Sequence, residues 1–379
     1  MFHTMPGDLF DTFEETLRSG GAEAGFELLI RKFREEKKYP LIFEARIMKS
    51  RHELGLPVIH DGQLEDLPED KRATHERAFV EAAREVGGLF LADGDIPRAW
   101  SYFRAIGEPA PVAAAIEQLQ PQENQEAVIE IALHERVHPR KGFELILANY
   151  GICRAVTFFE QYPDGKTRED CIRLLVRTLH RELVESLQRV IARNEGQAPD
   201  SQSVPELIAG REWLFGEYDY YVDTSHLASI LRFALDATDR ETLGLVVELA
   251  EYGKHLASTF QFRGALPFED GCKAYAIYLC ALIGENVDEA VAYFRSKIAA
   301  CDAESTEPAQ RLVALLARLG RYPEAIAVSL DHLRDTDSNQ LFCPSVFQLC
   351  QTAGDYALLR SLARERGDLL HFAAAALQG

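Results

Sequence analysis

Residues 133–160 read "LHERVHPRKGFELILANYGICRAVTFFE" and place His134, Glu135 and His138 in the order H-E-x-x-H. Two His four apart on a helix share a face, so their imidazoles can converge on one metal ion. The Glu beside the first could then act as general base toward a metal-bound water. A helix is expected from about Asn124 to His138, with Ala127, Val128 and Ile131 on its apolar face. His134, Glu135 and His138 continue that face. Polar side chains aimed at an interior need partners, because unpaired burial is costly. A divalent metal such as zinc would satisfy all three.

A third ligand is expected from "WLFGEYDYYVDTSHLASILRFAL", residues 213–235. Asp223, Thr224 or Ser225 can cap the helix that follows. His226 then falls on the face of Ile230, Phe233 and Ala237. The candidate set is His134, His138 and His226 as ligands, with Glu135 or Asp223 as general base or supporting carboxylate. Three His and an open position suit catalytic zinc. The ordinary alternative is that His226 is a satisfied core histidine. His180, at the edge of the stripe Val176, Leu179, Leu183 and Leu187, invites the same reading.

Other groups cluster nearby. Arg136, Arg140, Lys141 and Arg154 either solvate a surface or favour a bound carboxylate or phosphate. Cys153 follows a Gly turn near a helix start, where a thiol can be activated, or it is a buried structural residue. Tyr221, with Trp213, Phe215, Tyr218 and Tyr220, lines a pocket or packs between helices. The H-E-R-V-H pattern resembles the site of the zincin peptidases, which implies a zinc held by His134 and His138 with Glu135 as base. This chain departs from that family twice. Pro139 directly follows His138 and disfavours helix there, so the helix is expected to end at His138. The family's downstream third ligand also has no match, since Glu160 falls on a different helix.

Helices must position all of these residues. Apolar spacing of 3.6 residues dominates the chain, and strict alternation is nearly absent. "AEAGFELLIRKFREE", "RATHERAFVEAAREV" and "CIRLLVRTLHRELVESLQRVIARNEG" read as amphipathic helices, separated by Gly, Pro and Asp signals such as "ADGDIP" and "LGRYPE". Longer loops are expected near 55–69, 196–204 and 259–270. The predicted fold is all-α, made of stacked helical hairpins.

The C-terminal third carries a repeat. "LCALIGENVDEAVAYFRSKI", "LLARLGRYPEAIAVSLDHL" and "LCQTAGDYALLRSLARER" each run helix, Gly turn, helix. The turn glycines are Gly284, Gly320 and Gly354, spaced 36 and 34 apart. Small residues Ala290, Ala325 and Ala357 near the start of each second helix are expected to be buried. Gly94 and Ala99 look like a degenerate earlier copy. Over roughly 270–366 the pattern resembles the tetratricopeptide repeat. That resemblance implies a right-handed superhelix whose concave groove binds a protein or peptide. The expected divisions are 1–120 as N-terminal hairpins, 121–265 as a central region with the candidate site, and 266–379 as the repeats.

Composition narrows the partners. Net charge is −19, which repels nucleic acid and anionic membrane surfaces. The seven Cys form no C-x-x-C, which fits reduced thiols in a cytoplasmic protein. No run is long enough to span a bilayer and the N-terminus is no signal peptide. No G-x-S-x-G, P-loop or dinucleotide fingerprint occurs. Two readings follow. The first is a helical repeat protein that binds a partner along its groove. The second is a metal-dependent hydrolase with the three-histidine site, acting on an anionic small molecule or peptide.

Overall fold

The computed structural model describes residues 6–59, 69–162, 165, 167–302 and 305–378. Among the described residues there are helices, turns and irregular chain but no strand. No described helix is long and apolar enough to cross a membrane. The expected loop at 55–69 lies largely outside the described residues.

The chain forms two compact units, Met1–Gly151 and Ile152–Gly379. The expected divisions at 120 and 265 fall inside them. The first unit holds α1 (Pro6–Glu35), α2 (Tyr39–Glu53), α3 (Glu69–Ala92), α4 (Ile96–Ala105), α5 (Ala110–Glu117), α6 (Glu126–Leu133) and the start of α7 (Pro139–Phe159). The boundary is a kink inside α7, where Gly151 takes φ 76° and ψ 180°. A side chain there would be strained, so glycine permits the break.

The second unit continues with α8 (Arg168–Glu195), α9 (Val204–Ile208), α10 (Thr224–Phe233), α11 (Arg240–His255) and α12 (Cys272–Leu282). It ends with α13 (Val287–Ala300), α14 (Glu307–Arg318), α15 (Tyr322–His332), α16 (Val346–Ala353), α17 (Tyr356–Glu365) and α18 (Leu369–Gln378). Many consecutive helices pack on one another, among them α1 on α2, α3 on α4, α14 on α15 and α17 on α18.

The first unit's core gathers Ile42, Val86, Phe90, Ala99, Phe103, Ile116 and Ala132. In the second unit the predicted stripe of α8 is buried, Val176, Leu179, Leu183 and Leu187, and Leu175 is buried beside it.

Four glycine turns are built alike. Gly94, Gly284, Gly320 and Gly354 all have φ between 72° and 91°. Each is closed by a backbone bond of 2.9 Å from the following residue to the carbonyl five back: Asp95 to Phe90, Glu285 to Cys280, Arg321 to Leu316 and Asp355 to Cys350. This left-handed cap satisfies carbonyls that a helix end would otherwise orphan. Behind the turns Ala99, Ala290 and Ala325 are buried. Ala357, however, is exposed. Counting five residues from the turn glycine, as from Gly94 to Ala99 and from Gly320 to Ala325, leads from Gly354 to Leu359, which is buried. The third hairpin thus seats a large residue where a small one was expected.

Candidate functional site

The H-E-R-V-H stretch is a turn, and this corrects the expected helix to His138. α6 ends at Leu133. Arg136 adopts a left-handed φ of 57°, and the chain folds back so that His138 N–H donates to Ala132 O at 3.1 Å. Pro139 then opens α7, where its missing N–H costs nothing. With the helix gone, the i, i+4 geometry that would aim His134 and His138 at one ion is gone too. His134, Glu135 and Arg136 are exposed. Ala127, assigned to the apolar face, is also exposed, while Ile129 and Leu133 are buried.

Both ring nitrogens of His138 are engaged. Nδ1 accepts from the backbone N–H of Lys141 at 3.4 Å, as a cap for the first turn of α7. That assignment leaves the proton on Nε2, which donates to Glu117 Oε2 at 2.8 Å. Arg140 donates to both oxygens of Glu117, at 2.6 and 2.7 Å. Lys141, buried except for 6% of its surface, pairs with Glu144 at 2.7 Å. Glu135 pairs with Arg104 of α4 at 2.8 Å. Two of the four cations expected to attract an anionic ligand, Arg140 and Lys141, are thus matched to carboxylates of the protein, and Arg140 with His138 ties the α6–α7 turn to α5.

His226 belongs to the second unit, half-buried near the start of α10. Near it is Glu182 of α8, a carboxyl that burial pushes upward. Asp223 caps α10 as expected, accepting from the Ser225 N–H at 2.8 Å and the His226 N–H at 3.4 Å. Its carboxyl is held below the ordinary range, first by the Ser225 hydroxyl. Tyr221 donates its hydroxyl to Leu214 O at 2.8 Å and its N–H to the buried Tyr252 hydroxyl at 2.8 Å. His180 is a satisfied core histidine, 2.8 Å from Glu248. Among the described residues no group of three or more His, Cys, Asp and Glu is arranged to hold a metal ion.

All seven cysteines are free thiols. Cys153 is exposed on α7, two residues after Gly151. Burial pushes Cys272 to about 12 and Cys343 and Cys350 to about 11. These three are therefore protonated and poor nucleophiles near neutral pH.

The feature that sequence reasoning missed lies among the C-terminal helices. α12, α14 and α16, the helices that precede the three turns, border a cleft of about 440 Å³. Tyr278 comes from α12, Arg311, Ala314 and Arg318 from α14, and Leu349 from α16, with Phe342 and Asp236 at its walls. The guanidinium of Arg311 lies 4.5 Å from the centre of the Phe342 ring and 5.9 Å from that of Phe268. No carboxylate among the described residues pairs with it. Arg318 donates to Leu235 O at 2.5 Å and to Ala237 O, and so pins the loop that forms one wall. The sequence did carry a signal: 311, 314 and 318 are i, i+3 and i+7, one face of a helix with a small residue between two Arg.

No protein-family model, no curated protein and no solved structure matches this chain.

Proposed function

We propose that the second unit is a partner-binding scaffold, similar to tetratricopeptide arrays, that takes an extended acidic segment of another protein in the cleft of α12, α14 and α16. The observation that carries this reading is Arg311. It is half-buried, braced by two aromatic rings, and has no carboxylate partner among the described residues. Beside a hydrogen bond to Tyr278, the stacked guanidinium has further N–H groups to receive a carboxylate. Ala314 leaves room beside it, and Leu349 and Phe342 offer apolar contact to neighbouring side chains. A cleft of this size and mixed lining suits a few residues of peptide. Seven free thiols fit a reducing, cytoplasmic setting for the encounter.

The partner-binding reading is favoured over the metal-dependent hydrolase because His138 has carboxylate and backbone partners for both nitrogens. Its need for a ligand is met within the chain.

The test is an array of short acidic peptides bound to the full chain, read by fluorescence anisotropy. Peptides that bind wild type should bind Arg311→Gln about tenfold more weakly, the loss expected for one charge-assisted pair. Binding that is unchanged in Arg311→Gln, or no binding across the array, would remove the cleft as the site.

A further inference from the structure

A second cleft of the same unit has the opposite character. It measures about 460 Å³ and lies between α9, the short turn Glu212–Leu214 and the end of α11. Its apolar surface comes from Pro205, Ile208 and Phe215, and its charged groups are Glu212 and Glu251. No Lys or Arg lines it. The His255 ring lies 5.0 Å from the Phe215 ring and nearly parallel to it, at 27°.

The wall of this cleft is held in place. Gly210 turns the chain with φ 69°. Arg211 then clips the turn, donating to Glu195 at 2.7 and 3.0 Å and to the carbonyl of Leu207 at 3.0 Å. Asp219 closes the next bend through the Gly216 N–H at 3.2 Å. The nearby cations are thereby accounted for. Arg211 is committed to Glu195, and Lys254 pairs with Glu251 at 2.7 Å. The Lys254 pair is exposed, and such a pair exchanges for another cation at little cost. Glu212 has no cationic partner among the described residues. The same loop exposes Trp213, Tyr218 and Tyr220, large aromatic surfaces of the kind enriched where proteins meet partners.

We infer that this cleft receives a guanidinium side chain of a basic peptide segment. Carboxylates at Glu212 and Glu251 supply the ion pairing, and Phe215 supplies an aromatic wall for a flat cation. Charge complementarity selects the occupant: the cleft combines an unpaired Glu212 with an aromatic face, and its second carboxylate, Glu251, holds only the exposed Lys254. The site stands apart from the Arg311 cleft and would survive the failure of that proposal.

The test uses a fluorescein-labelled peptide of alternating Gly and Arg and its counterpart with citrulline in place of every Arg. Citrulline keeps the planar shape and loses the charge. Anisotropy titrations with the full chain should show the Arg peptide binding at least about tenfold more tightly than the citrulline peptide. Glu212→Gln combined with Glu251→Gln should remove that preference, with circular dichroism confirming the fold. Phe215→Leu should weaken binding of the Arg peptide by a smaller factor. The control is Glu285→Gln with Glu289→Gln, two carboxylates of the α12–α13 hairpin, which should leave binding unchanged. Equal affinity for the two peptides would overturn the proposal. So would control variants that weaken binding as much as the cleft variants, since that marks general attraction to an acidic chain. Failure of the Arg peptide to bind at all would overturn it as well.

Discussion

Nε2 of His138 lies 2.8 Å from Oε2 of Glu117. The pair joins the start of α7 to the end of α5 and gives the second histidine of H-E-R-V-H a protein partner. Arg140 reaches the same carboxylate, so one acid steadies both the turn and the helix that follows.

Glu117→Ala should therefore loosen the α6–α7 turn. The pair is partly exposed, so a loss of about 1 kcal/mol is expected in urea unfolding, at the upper end for such networks. Elemental analysis of purified protein complements this. Stoichiometric zinc that disappears with His138→Ala would overturn the account of His138 as a structural residue.

Acid should weaken the contact between α8 and the start of α11. Glu169 accepts from the backbone N–H groups of Thr238 and Asp239 at 2.9 and 3.0 Å. Its carboxyl is lowered from the ordinary 4.5, first by the Thr238 hydroxyl. A depressed carboxyl contributes stability that is fully present above its unfolded value and is lost as pH falls through the folded one. Urea midpoints should thus hold from neutral pH to about 4.5 and decline below it. Glu169→Gln should lower the midpoint at neutral pH and flatten part of the decline. A variant that declines as steeply as wild type would show that Glu169 takes no part.

The register of the third hairpin is testable by paired substitutions. Leu359→Ala removes a buried side chain and should cost about 2–4 kcal/mol. Ala357→Ser, at an exposed site, should stay within about 0.5 kcal/mol. Thermal melts of the two variants decide between the observed register and the one expected from small residues.

Thiol chemistry should rank the cysteines. Ellman's reagent should modify Cys153 of the native protein first, because it is exposed. Cys272, Cys343 and Cys350 should react only on unfolding, since each is buried and protonated. All seven should react in unreduced, denatured protein. Rapid labelling of Cys272 in the native state would contradict its buried position.

The helical class was legible because burial of one face leaves a 3.6-residue trace, as in the α8 stripe from Val176 to Leu187. The turns at Gly94, Gly284, Gly320 and Gly354 were legible too, because a left-handed helix cap selects glycine locally. The cap of α10 by Asp223 is equally local. What a residue meets across space was not legible. Periodicity extended α6 to His138, but a left-handed Arg136 and a partner on α5, 21 residues before His138 in sequence, decided that the chain should turn. Ala357 matched its pattern, yet packing chose Leu359. The two clefts depend on residues from several elements: Arg311 meets Phe342 from a later loop, and Glu251 lines one cleft with Phe215 from an earlier one. Local propensity is written along the chain, whereas charge pairing and cavity shape come from segments far apart in it, and only the tertiary structure brings those together.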